Sequence, residues 1–285
     1  MTVPAVGDFT SGERGSPGGR VRRTLRRIDD RLLGAQLAVT ARGRLDRLAA
    51  QAPARDLLVV SVYRPGGGDL PRALANLRDT RHSLRLALGS TGEAEPALAP
   101  DTVATELAGG KYENVDALLR AAGGPGAADW TLVVDDDVVL PGRFLDRFLG
   151  VCERLGLALA QPAQSSASFA AWSHVRRRRG VLARETRFVE IGPVTAFRRD
   201  ALEALSPFPP LRYGWGLDLH WGAVAEQRGW KMGVVDALPV RHERTAVAVS
   251  YSPDDAIEEA RRFLTGRPFV DSRRAPEALR VHPLR

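Results

Sequence analysis

A chain of 285 residues, 44% hydrophobic and 26% charged, can bury one substantial core. Its net charge of +7 is nearly all arginine, since Lys111 and Lys231 are the only lysines, and the basic runs lack the interleaved aromatics that stack bases, so no nucleic-acid partner is expected. The single cysteine, Cys152, excludes an intramolecular disulfide; no apolar run is long enough to span a membrane and residues 1–19 lack the core of a signal peptide, which points to the cytoplasm.

Residues 1–19, rich in Gly, Ser, Pro and Thr, read as a disordered tail. Over 20–51, Val21, Leu25, Ile28 and Leu32 recur at helical spacing among arginines, and Leu37, Leu45 and Leu48 continue past Gly34. This basic amphipathic extension either packs on the main domain or a partner subunit, or makes peripheral contact with the inner face of an anionic membrane. An α/β domain is expected over 56–250, in halves at 56–160 and 161–250, with a C-terminal helix and tail over 251–285.

In the first half, 57–63, 83–88 and 130–134 read as strands, and 156–160 as a short one. Helices are expected at 70–79, 113–122 and 141–155. That alternation indicates a mostly parallel sheet flanked by helices. The second half is less regular. Residues 161–187 read as a mobile loop fit to close over a ligand. Short strands are expected at 188–191, 194–197 and 231–235, helices at 199–205 and 252–265, and a loose tail after Pro268.

The strand at 130–134 runs straight into Asp135, Asp136 and Asp137. Open α/β sheets bind ligands outside the carboxyl ends of their strands. Three crowded carboxylates repel one another; a hard cation, Mg²⁺ or Mn²⁺, relieves that repulsion and can hold a diphosphate. The bland alternative is a solvated turn that caps the next helix. The exit of the first strand offers Tyr63 and Arg64, and Arg64 suits a phosphate or a base face. Lys111 precedes the next helix and can reach phosphate. Gly66-Gly67-Gly68 matches neither a P-loop nor a dinucleotide fingerprint, which argues against ATPase and dehydrogenase chemistry.

The second half then supplies Glu190, Asp218 and His242. With Phe197-Arg198-Arg199-Asp200-Ala201-Leu202 and Trp215-Gly216-Leu217-Asp218, the ordered set resembles the GT-A glycosyltransferases, in particular the inverting family 2 type, over about residues 56–245. The DXD motif of that fold is similar to Asp135-Asp136-Asp137. The resemblance implies transfer of a sugar from a nucleotide-sugar donor to a hydroxyl on a saccharide, a lipid-linked molecule or a small molecule. It implies that Asp135 faces the ribose or a metal-bound water, that Asp137 ligates Mn²⁺ or Mg²⁺, and that Asp136 points away. His242 stands where some GT-A enzymes place a further metal ligand. Many family 2 enzymes carry Glu-Asp where this chain has Leu217-Asp218, which leaves Asp218 as the candidate base. Glu190 is the second candidate. Tyr63, Arg64, Lys111 and Asp135 would contact the donor, and Trp215 or Trp221 would stack on a sugar face. Two rivals stay open: a sugar nucleotidyltransferase, and a non-catalytic basic protein that binds nucleic acid or an anionic membrane.

Overall fold

The computed structural model describes residues 26, 28–30, 34, 37, 39–67, 69–168, 170–242 and 252–285. The expected tail at 1–19, and Val21, Leu25 and Leu32 of the apolar stripe, lie outside the described residues.

Helix α1 (Arg42–Gln51) turns Leu45 and Leu48 inward. It leads to β1 (Asp56–Tyr63), an aliphatic run buried on both faces. Parallel to β1 lie β2 (Ser83–Ser90) on one side and β4 (Trp130–Val134) on the other, with Leu57 opposite both Leu84 and Trp130. β3 (Thr102–Ala104) adds a short parallel edge beyond β2. Side chains alternate along β1. Leu57 and Val59 therefore join α1, α2 (Leu70–Arg78) and α4 (Phe144–Leu155) in one core. Leu58 and Val60 join α3 (Lys111–Ala121) in a second core on the other face. That second core also takes α5 (Arg199–Leu205), α6 (Leu217–Arg228) and α7 (Pro253–Leu264).

Beyond β4 the sheet continues through β8 (Val194–Arg198), β6 (Leu157–Gln164), β9 (Lys231–His242), β7 (Val181–Thr186) and β10 (Ala278–Pro283). Of these, β8 and β7 run against the direction shared by the rest. A two-residue strand, β5 (Val138–Val139), pairs with the end of β9, Val138 lying opposite His242. The expected α/β sheet flanked by helices is present. It brings the carboxyl ends of β1, β4, β6 and β9 to one edge, together with the start of the reversed β8.

Several elements differ from the sequence expectation. The helix expected at 141–155 begins at Phe144, because Arg143 adopts a left-handed φ of 53° just before it. The strand expected to end at 160 runs on to Gln164. Residues 161–187 are therefore the end of one strand, a connection that includes a 3-10 turn at Ser173–Val175, and the strand β7. Residues 188–191 form no ladder, because their backbone groups bind side chains instead: Glu190 N donates to Gln161, and the Ile191 carbonyl accepts from Lys111. The expected loose tail includes β10, which pairs antiparallel with β7. No helix of the described residues is long and apolar enough to cross a membrane.

Candidate active site

Three carboxylates leave β4, and each takes a different partner. Asp135 Oδ1 lies 2.6 Å from Lys111 Nζ. Asp136 Oδ2 accepts from the Arg64 N–H at 3.1 Å, and its carbonyl accepts from Asp69 N, which pins the loop after β1. Burial pushes the Asp136 carboxyl up, with the neighbouring Asp137 and Asp135 adding to the shift. Asp137 is buried, and its Oδ1 lies 2.8 Å from His242 Nε2. The same nitrogen is 3.9 Å from Asp135 Oδ2. One ligand atom from each of Asp135, Asp137 and His242 thus falls within 4.8 Å of the others. The β5–β9 pairing delivers this, since it seats His242 beside the acids across the ribbon.

Two carboxylates and one imidazole form a donor set of the kind that Mn²⁺ accepts. Burial disfavours the cationic form of His242, but the contact with Asp137 and the charges of Asp135 and Asp137 outweigh it and raise its pKa. Those acids draw positive charge to this point whether it comes as a proton or as a metal. Lys111 supplies more of it, and its ammonium also donates to the Ile191 and Gly192 carbonyls at 2.9 Å each. One lysine therefore ties the β4 exit to the segment that carries Glu190.

Glu190 is buried, and both of its oxygens are held. Oε1 accepts from Ala171 N at 2.9 Å and Oε2 from Gln164 Nε2 at 2.7 Å. Ser168 Oγ donates to Gln164 Oε1 at 2.7 Å and accepts from His242 N at 2.9 Å. A continuous buried chain thus runs from Glu190 to the backbone of His242. Burial pushes Glu190 up to about 7, although those hydrogen bonds and the charges of His242 and Lys111 oppose the shift.

Asp218 lies in the first turn of α6, behind Gly216, whose φ of 88° makes the turn into the helix. Its Oδ1 accepts from Leu219 N at 3.0 Å. Burial pushes Asp218 up to about 8, and the charge of Glu190 adds to the shift. The two acids therefore sense each other across the site.

The other expected residues lie as follows. Tyr63 is buried, and its hydroxyl is engaged by Thr102 Oγ1 and Glu95 N. Arg64 is exposed on the loop. Trp215 is buried near the start of α6. Trp221 is packed edge-on against Tyr112 and Phe197, inside the core. Sequence reasoning missed Gln161, Gln164 and Ser168. The available signal was a pair of glutamines three residues apart in what proves to be a fully buried strand.

The chain matches the family described as glycosyltransferase like family 2 over residues 99–262. A search of the curated proteins found no match. Among solved structures, GalNAc-T7 with UDP, GalNAc and Mn²⁺ is 12% identical, with a TM-score of 0.56 over 75% of this chain and 48% of that one. TarS 1-349 of S. aureus in complex with UDP-GlcNAc is 12% identical, with a TM-score of 0.51 over 72% of this chain and 64% of that one. The mannosyltransferase PcManGT from Pyrobaculum calidifontis, in complex with GDP-Man and Mn²⁺, is 14% identical, with a TM-score of 0.46 over 74% of this chain and 68% of that one. The chain spans between about half and two thirds of the length of these structures. At such identities the first two likenesses establish the fold, which is GT-A.

Proposed function

This chain belongs to glycosyltransferase like family 2 and is a glycosyltransferase, and we propose that it moves a sugar from a nucleoside-diphosphate donor to an acceptor hydroxyl, with a divalent metal and with inversion. The observation that carries this reading is the meeting of Asp135, Asp137 and His242, which come from segments far apart in sequence. These three would hold the metal, Mn²⁺ before Mg²⁺ because of the imidazole. Bound there, the ion would supply Lewis-acid charge to the departing diphosphate. GalNAc-T7 and TarS, which share the fold, were solved with UDP or a UDP-sugar, which supports a nucleoside-diphosphate donor here.

The chain's own residues would do the rest. Lys111 holds positive charge beside Asp135, where phosphate oxygens would gather. Arg64, exposed at the β1 exit, would contact the donor. Asp218 would take the proton of the acceptor hydroxyl in its ionised form; burial pushes it up to about 8, so that form, and transfer with it, should grow as pH rises toward 8. Glu190, fixed by Gln164 and Ala171, would orient the acceptor. Trp215 would close the sugar pocket.

Donor hydrolysis, with water as acceptor, tests this before the natural acceptor is known. The anomer released is read by NMR in each case. Inversion is expected, and a retained anomer would overturn that part of the reading. Asp218→Asn should lower kcat by about 10²–10⁴-fold while metal-dependent diphosphate binding persists. An unchanged rate in that variant would remove Asp218 as the base.

A further inference from the structure

A groove of about 480 Å³ lies against the β5–β9 ribbon. Successive side chains of a strand point to opposite faces. Val139 and its partner Arg241 line the groove, whereas the next pair, Val138 and His242, includes the candidate metal ligand. The groove is therefore separate from the donor site.

Its apolar part includes Leu37, Leu45, Leu140 and Leu238. Among the described residues that line it, five are arginines and one is an aspartate. That aspartate, Asp30, already accepts from the N–H groups of Ser166 and Ala167. Three of the arginines, Arg42, Arg143 and Arg147, share Asp46. Arg177 differs: its Nη2 is buried and has no hydrogen-bond partner. A buried guanidinium nitrogen with no acceptor is costly, and an anionic oxygen would remove that cost. Arg177 also lines a smaller cavity beside Arg178, Arg179 and Arg285; the carboxylates of Asp30, Asp29 and Asp236 act on it too, Asp29 being paired with Arg179 at 2.8 Å.

An apolar groove with surplus positive charge complements one chemistry, an anionic head on a hydrocarbon chain. Its concave shape and size suit one molecule lying along it. A bilayer surface would instead meet a convex apolar helix face. We propose that this groove binds a single-chain lipid phosphate, taken up as one molecule, with its chain against Leu37, Leu45, Leu140 and Leu238 and its phosphate on Arg177.

Titration calorimetry of the full chain with dodecyl phosphate, kept below its micellar concentration, tests the proposal. Saturable binding is expected, with none from inorganic phosphate or dodecyltrimethylammonium at the same concentrations. Arg177→Gln should weaken binding by about tenfold or more, as expected for a lost hydrogen bond to a charged group. Leu37→Asn, at a half-buried position, should weaken it without unfolding the chain. Equal binding of inorganic phosphate would reduce the site to an anion site and overturn the proposal. So would dodecyl phosphate binding that neither variant weakens, or no binding by the wild-type chain. Sedimentation with phosphatidylglycerol vesicles but no uptake of dodecyl phosphate would assign the face to a membrane surface instead. None of these readouts depends on glycosyl transfer, so the proposal stands or falls apart from that activity.

Discussion

Glu190 and Asp218 keep protons at a pH where exposed carboxyls have lost theirs, because burial disfavours their charged forms. This has a consequence for stability. Between the ordinary carboxyl range and about pH 8, the folded chain retains protons that the unfolded chain has shed. Stability is therefore full below the unfolded values of these groups and declines as pH rises through about 7 and 8. Thermal unfolding of metal-free protein should give a melting temperature that falls from pH 5 to pH 8. Asp218→Asn should flatten that fall; an unchanged slope would mean that the acid is already ionised in the fold. The aspartate run, Glu190, Asp218 and His242 stand out in the sequence as candidates, because a carboxylate or an imidazole carries a chemical signature whatever element holds it. Gln164 and Ser168 were not legible. An amide and a hydroxyl acquire meaning only through what they touch, and their partners Glu190 and His242 are distant in sequence.

The elements that build the site are held by close backbone contacts as much as by side chains. Helix α1 crosses α4 at Gly150, where an added Cβ would lie 2.7 Å from Ala49 N and 2.8 Å from the Leu48 carbonyl carbon. In an isolated helix, alanine would be better than glycine by about 1 kcal/mol. Here the overpacking cost of about 1–3 kcal/mol should exceed that gain. Gly150→Ala is thus predicted to destabilise the chain in urea unfolding, whereas a stabilised variant would show that α1 does not sit against α4 in solution. The strands of the first half were legible because they are continuous aliphatic runs. Strand β7 was not, because it buries Arg184, a residue that reads as surface until its partner is known. Residues 188–191 were read as a strand from their apolar alternation, but Gly192 and Pro193 follow directly, and Thr186 Oγ1 donates to the Phe188 carbonyl to start a turn.

At the scale of the molecule, the reversed strand β8 joins a parallel first half of the sheet to a mixed second half, and the candidate site lies at the seam. The far half is anchored by Arg184 and Asp236, whose side chains are fully buried. They meet through two nitrogens, Nε to Oδ2 at 2.8 Å and Nη2 to Oδ1 at 3.0 Å, while Nη1 donates to the His174 carbonyl at 2.6 Å. Asp236→Asn would leave a buried guanidinium without its counter-charge and should cost about 3–5 kcal/mol in denaturant unfolding. A cost below about 1 kcal/mol, the range of an exposed pair, would mean that water reaches this pair. The central claim is that β4 and β9 together form a metal site for a diphosphate. It is tested most directly by thermal shift with UDP, GDP, dTDP and CDP, each with and without Mn²⁺, on the wild-type chain and on Asp137→Ala. Because a ligand that binds only the folded state raises its stability, one diphosphate should raise the melting temperature, only when Mn²⁺ is present and only in the wild type. A metal-dependent shift of equal size in folded Asp137→Ala, or no shift with any of the four in the wild type, would contradict it.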